Sequence, residues 1–314
     1  MSNLAPSLTH DQLDAVIQQV SGIILGKQHA IRLALACLLA RGHLLIEDLP
    51  GMGKTTLAQA FAQSLGLQYQ RVQFTSDLLP ADIIGAAVYE RERGAFVFHP
   101  GPIFAQLILA DEINRATPKP QSALLECMEE HQITSDGETR RLPEPFFVIA
   151  TQNPIEQVGT FPLPESQLDR FTMCLQLGYP DARAERELLQ GEDRRELLAR
   201  LPALLTPAQI LAAQAEVTKI HVAATLLDYL QELLASSRRS GAARTGLSPR
   251  TGLAVLRAAR AWALLHRRDH VLPEDVQAIL PAVIGHRLHA GDEDLGRTRA
   301  DLVERLIKSV AVPN

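Results

Sequence analysis

The sequence predicts an α/β fold: a three-layer, parallel-sheet nucleotide domain of the phosphate-loop type with β-hairpin inserts, followed by an all-helical domain. Three observations carry this. Short apolar runs alternate with helical patterns through the first part of the chain. One of those runs leads into Asp48-Leu-Pro-Gly-Met-Gly-Lys-Thr55. Strand signals stop after Tyr179-Pro180, and a helical pattern holds from Thr206 onward.

The expected strands are His43–Ile46, Arg71–Phe74, Leu107–Ala110, Phe146–Thr151 and Met173–Leu177, with helical segments between them. Two inserts interrupt this order. Ala86–His99 places Val88, Phe96 and Phe98 around Arg93-Gly94, and Gln132–Leu142 carries Asp136-Gly137 between short polar strands. Both read as hairpins. They are surface decoration or contacts to a partner or substrate. Asp181–Gln190 reads as a helix. Thr206-Pro207, Ser248-Pro249 and Leu272-Pro273 read as helix starts, where the missing proline N–H costs nothing. The expected division is residues 1–180 as the α/β core, 181–205 as a linker helix and loop, and 206–314 as the helical domain.

The 314 residues carry a net charge of −5 and a pI near 6.1. Mild acidity argues against a constitutive nucleic-acid binder. The local basic run Arg238, Arg239, Arg244 and Arg250 reads as a solvated stretch. Cys37, Cys127 and Cys174 lack disulfide or zinc spacing and read as reduced core residues. His266/His270 and His286/His289 lack accompanying ligands, so no transition metal is assigned. Met1 to His10 does not read as a signal peptide, and no apolar run approaches a membrane span. The expected location is the cytoplasm.

The loop after the first strand is built for phosphate. Gly51 and Gly53 permit a tight turn that aims backbone N–H groups inward. Lys54 adds a point charge at the β/γ-phosphates, and the Thr55 hydroxyl can ligate Mg²⁺. Pro50, Met52 and Thr56 complete the expected binding segment. The following helix, with Leu57, Ala58, Phe61, Ala62 and Leu65 on its apolar side, directs its positive end at the same anion. Asp48 stands where a glycine usually opens the motif, and its carboxylate is expected to point away from phosphate.

Leu107–Ala110 ends in Asp111-Glu112. Ligands of a parallel sheet sit beyond the carboxyl ends of its strands, so Asp111 is placed to hold Mg²⁺ through water. Glu112 is the candidate base for the attacking water. Phe146–Thr151 ends in Gln152-Asn153; Asn153 either reads the γ-phosphate and attacking water or simply forms a turn before Pro154.

These motifs, with Leu163-Pro-Glu-Ser-Gln-Leu-Asp-Arg-Phe171 and Ser248-Pro-Arg250, occur in an order that resembles the AAA+ ATPases. Glu47–Thr55, Gly101–Phe104, Ala110–Ala116, Ala150–Pro154 and Leu163–Phe171 look most like the MoxR family, over about Ile24 to Val310. The resemblance implies ATP hydrolysis with Mg²⁺ at a subunit interface. It makes Asn153 the γ-phosphate sensor and Arg170 the arginine finger reaching the neighbour's ATP. Arg250 becomes a second sensor, touching phosphate from the lid of its own subunit. Ile24 and Gly26 fall where the family cradles adenine, and Asp48 is similar to what the family shows. A trans-acting Arg170 has to lie at the surface, outside reach of its own loop. It requires a head-to-tail ring, by resemblance a hexamer. The work implied is chaperone-like remodelling or activation of a protein complex, with a separate von Willebrand A domain partner, since no Asp-x-Ser-x-Ser pattern occurs here. Two other classes stay open: a nucleic-acid motor, and a nucleotide-gated, chelatase-like regulatory subunit.

Overall fold

The computed structural model describes residues 10–135, 137–154, 159–239, 246–288 and 298–313. Asp136, Arg244 and His289, all part of the sequence expectations, lie outside the described residues, as does the segment before His10.

The chain begins with helices α1 (His10–Ile23) and α2 (Gln28–Leu39), then strand β1 (Leu44–Glu47) and helix α3 (Lys54–Ser64). Strand β2 (Tyr69–Gln73) follows, then helix α4 (Pro80–Ile84) and the hairpin of β3 (Gly85–Glu90) and β4 (Ala95–Pro100). Strand β5 (Leu107–Asp111) leads to helix α5 (Pro118–Glu130) and the second hairpin, β6 (Gln132–Ser135) and β7 (Glu138–Arg141). Strand β8 (Phe147–Gln152), helix α6 (Glu165–Leu168) and strand β9 (Met173–Leu175) complete the sheet. After α7 (Ala182–Gln190) and α8 (Arg194–Ala199) come α9 (Pro207–Lys219), α10 (Ala224–Arg239), α11 (Pro249–Leu265), α12 (Pro273–Ile284) and α13 (Arg299–Lys308).

Among the described residues the main sheet has the order β2-β5-β8-β1-β9, and every pairing in it is parallel. Parallel strands covered on both faces read as continuous apolar runs, which is why β1, β5 and β8 were legible. Alternation then splits them between two cores. Leu44, Ile46, Leu107, Leu109, Phe147 and Ile149 join α1, α2, α3 and the helical domain. Leu45, Ile108, Ala110, Val148 and Ala150 face the other core, with Leu124, Leu125 and Met128 of α5.

Both inserts are two-stranded antiparallel hairpins separate from this sheet. Val88, Tyr89 and Phe96 of the first stand exposed. The last strand stops two residues before the expected Leu177. Asp48 accounts for this: its carboxylate accepts from the N–H groups of Leu177 (2.6 Å) and Gly178 (2.7 Å), diverting the chain from the ladder.

Helices α9, α11 and α12 start where proline and capping residues predict. Thr206 and Gln209 form a capping box, and Ser248 Oγ accepts from Thr251 N at 3.1 Å. The domain is stapled to the sheet layer. Buried Arg287, just after α12, donates to Asp169 Oδ1 (2.7 Å) and to the carbonyls of Asp169 and Phe171. Gln214 Nε2 of α9 donates to Leu38 O of α2 at 2.8 Å.

Candidate functional site

The loop between β1 and α3 adopts the expected backbone: Gly51 and Gly53 both have φ +83°, a left-handed region that side chains disfavour. Lys54 Nζ folds over the loop, donating to the carbonyls of Asp48 (2.5 Å) and Leu49 (3.2 Å). Asp48 is turned away, held by Leu177 and Gly178. Thr55 and Thr56 line a cavity of about 700 Å³ with Gln59, Tyr69, Arg71 and Arg194.

Ile24 and Gly26 sit beside this loop. A Cβ on Gly53 would lie 3.6 Å from Ile24 Cδ1, and one on Gly26 would lie 3.3 Å from Ala184 Cβ. Lys27 Nζ closes the same region by donating to Tyr179 O at 2.7 Å. Residues 24–27 and 178–184 therefore meet beside the loop.

The acids at the end of β5 are tightly held. Asp111 is buried; its Oδ1 accepts from Thr151 Oγ1 (2.6 Å) and its Oδ2 from Arg71 Nη2 (2.7 Å) and Nε (3.1 Å). Glu112 has φ +56°, a left-handed conformation uncommon for a residue with a side chain. Its N–H donates to Thr151 Oγ1 at 2.8 Å, and its Oε2 accepts from Gln73 Nε2 at 2.9 Å and pairs with Arg115 at 3.3 Å. Asn153 is buried directly beyond β8, where its carbonyl accepts from Asn114 Nδ2 at 3.4 Å. A carboxylate, a helix-start hydroxyl, a lysine and a glycine-turned loop at the start of α3 fit a magnesium-bound triphosphate. Arg71, Gln73 and Thr151 were not singled out from the sequence. Their only signal is polarity in an otherwise apolar sheet, and their role depends on the β2-β5-β8 register.

Arg170 and Arg250 are elsewhere. Arg170 Nη1 donates to Leu125 O at 2.6 Å and its Nη2 pairs with Glu129 at 3.1 Å. Arg250 pairs with the other oxygen of Glu129 at 3.2 Å and approaches Asp169 at 3.9 Å. Both line a cavity of about 390 Å³ with Gly42, His43, Arg257 and Arg287. Gly42 and His43 enter β1, whereas the phosphate loop leaves it. A four-residue strand, roughly 13 Å long at about 3.3 Å per residue, separates the two places. Arg170 is thus outside reach of its own loop, with its side chain 29% exposed. The same geometry places Arg250 there too: docking of α11 against α2 sets it at the far end of the sheet, beside Arg170.

Burial sets the unusual titration of this region. His43, between β8 and α5, is held down to about 3 chiefly by burial and then by the nearby His131. Burial pushes Tyr69 up to about 12 and Cys127 likewise to about 12. Cys37 and Cys174 are raised for the same reason, and the described cysteines are free thiols. His286 Nε2 lies 3.1 Å from Phe171 O. Of the basic run, Arg238 donates to Leu247 O at 2.9 Å and Arg239 pairs with Glu232. No helix among the described residues is long and apolar enough to cross a membrane.

Residues 43–173 match the ATPase family associated with various cellular activities (AAA), and residues 235–306 match the AAA lid domain. The chain is 41% identical to the protein YeaC of Bacillus subtilis over 97% of this chain and 96% of that one. It is 38% identical to Chaperone MoxR1 of Mycobacterium tuberculosis over 96% and 82%, and 35% identical to Protein MoxR of Paracoccus denitrificans over 86% of each. The crystal structure of a Cytophaga hutchinsonii protein superposes with a TM-score of 0.89 at 34% identity, covering 97% of this chain and 96% of that one. With its phosphate loop, strand-end acids and helical lid, the chain belongs to the MoxR family of AAA+ ATPases.

Proposed function

We propose that this chain hydrolyses ATP with Mg²⁺ at a site completed by a neighbouring copy in a ring, and uses the cycle to remodel or activate a protein complex. The observation that carries this reading is the separation of Arg170 from its own phosphate loop by the length of β1. A partly exposed arginine at the opposite end of the sheet serves a phosphate only if that phosphate belongs to another subunit.

In this reading Gly51, Gly53 and the backbone of Pro50 to Met52 wrap the phosphates, and Lys54 leaves the loop carbonyls to meet the β/γ-phosphates. Thr55 and Asp111 hold Mg²⁺, Asp111 through water, and Thr56 lies on the same phosphate-facing turn. Bound by these residues, Mg²⁺ would supply charge neutralisation for the phosphates. Glu112 takes the proton of the attacking water, and Asn153 orients that water or the γ-phosphate. Ile24 and Gly26 border the base. Arg170, released from Glu129, supplies charge to the neighbour's site. Arg250 lies beside it, so any phosphate contact it makes is to the neighbour as well.

A head-to-tail contact of this kind closes as a ring, for which a hexamer is proposed. The name chaperone, carried by the mycobacterial relative, supports a protein as the object of the work. A von Willebrand A domain protein is the partner we propose, acting in the cytoplasm. The division at residues 180 and 206 is kept as part of this proposal. A pull-down with Glu112→Gln in ATP tests the partner: it captures a von Willebrand A domain protein in an ATP-dependent way. Capture of nucleic acid with strong salt dependence overturns the protein-directed reading.

A further inference from the structure

Two residues break local rules at one place. Glu47 ends an otherwise apolar, fully buried strand, with its side chain 6% exposed. Arg299 is the first residue of α13, where a cation opposes the helix dipole. The helix cannot easily start elsewhere, because Thr298 and Asp301 form a reciprocal capping box there. Each anomaly is answered by the other: Arg299 Nη1 lies 2.6 Å from Glu47 Oε2. Places where local rules are broken are expected to be functional or strained sites.

The surroundings say what the pair can do. Glu47 is followed by Asp48, so it sits at the root of the phosphate loop. Its second oxygen accepts from Gln152 Nε2, its register partner in the parallel ladder. Gln152 O in turn accepts from Asp48 N at 3.2 Å, and Gln152 precedes Asn153. One buried carboxylate thus joins the phosphate loop, the end of β8 and the lid. A cavity of about 730 Å³ opens here, lined by Asn153, Gln176 and Arg299 among others. Arg250, by contrast, faces the far end of the sheet.

We infer that Arg299 is the lid residue that acts on this chain's own nucleotide site, as a positioning residue working through Glu47. Its guanidinium neutralises Glu47 only while α13 is docked. Undocking leaves an uncompensated buried charge at the loop root, so Gln152 and Asn153 shift with lid position. Movement of the lid is thereby linked to alignment of Asn153. The inference rests on the proposal that the chain hydrolyses ATP using Asn153.

The test compares steady-state ATPase, ADP affinity by calorimetry and melting temperature for Arg299→Ala, Arg299→Lys, Glu47→Gln and the Arg299→Ala/Glu47→Gln pair, with Asn153→Ala as a further background. Arg299→Ala and Glu47→Gln each lower kcat by about tenfold, while ADP affinity moves by less than about threefold. Lys at 299 restores most of the rate. The paired variant is no slower than either single one, as any contacting pair shows, and Arg299→Ala adds no loss to Asn153→Ala, a coupling that the contact alone does not produce. An unchanged kcat in folded Arg299→Ala, or losses that multiply, overturns the inference. If Arg299→Ala does not fold, Glu47→Gln is judged by the same epistasis with Asn153→Ala. A parent protein whose turnover is absent, or survives Lys54→Ala, sinks the ATPase reading instead.

Discussion

Arg71 reaches across the β2–β5 ladder to Asp111, with Nη2 2.7 Å from the carboxylate oxygen Oδ2. The acid proposed to hold magnesium is therefore shared with a protein cation. Arg71 is 48% exposed, so the pair is screened by solvent and worth at most about 1 kcal/mol. Arg71→Ala is expected to lower the Mg²⁺ concentration for half-maximal ATPase by a few-fold, about fivefold at most on that figure. A magnesium titration decides it; a higher requirement with collapsed turnover means that Arg71 serves the phosphates.

Lys54→Ala removes the point charge from the phosphate loop. ATP binding is expected to fall below detection in calorimetry while the melting temperature stays near that of the parent. Ordinary ATP affinity would contradict the loop assignment.

Glu112→Gln retains the side-chain shape and its contact with Gln73 but cannot accept a proton. It is expected to bind ATP normally and to hydrolyse it slower by about 10²-fold or more. The ATP state then persists, and size-exclusion chromatography should show a more stable ring. Near-normal turnover excludes Glu112 as the base.

Arg170→Ala is expected to keep ATP binding and lose hydrolysis, by about 10³-fold if the arginine meets the transition state. Mixed with Lys54→Ala, it should regain activity, because one subunit's loop and the other's arginine form a complete site. Full activity in Arg170→Ala alone, or no recovery in subunit-exchanging mixtures, rejects the shared site.

His43 couples stability to acid. It accepts from Val148 N at 3.1 Å through Nδ1 and lies 3.2 Å from Met128 O through Nε2, a neutral imidazole enclosed between β8 and α5. Its folded pKa, about 3, lies below the unfolded value, so the folded state takes up fewer protons. Stability is therefore full above about pH 6.5 and falls as pH drops toward the folded value, with a slope of up to about 1.4 kcal/mol per unit. Urea unfolding of the parent and His43→Gln between those limits should show a shallower loss in the variant. Equal slopes reject His43 as the group responsible.

Much of this molecule was written locally. Gly51, Gly53, Lys54 and Thr55 are consecutive or nearly so, and a phosphate loop needs only that spacing between a strand and a helix. The strands were legible because a sheet covered on both faces demands unbroken apolar runs, as Leu107–Ala110 shows. The hairpins announced themselves by turn residues, and the lid helices by proline after a capping residue. The sequence also placed Asp111 and Glu112 at a strand end, where a parallel sheet puts its chemistry.

What remained invisible depends on which distant residues meet. Arg71 belongs to Asp111 because β2 and β5 pair in one register; a shift of one residue would turn it to the other face. Thr151 bridges Asp111 and the Glu112 backbone only because β8 lies beside β5. The side of the molecule served by Arg250 was set by how α11 docks on α2, and the meeting of Glu47 with Arg299 by where α13 comes to rest. Spacing along the chain encodes turns, faces and strand ends. Lid docking and strand order are properties of the packed core as a whole, and they alone decided which arginine faces which end of the sheet.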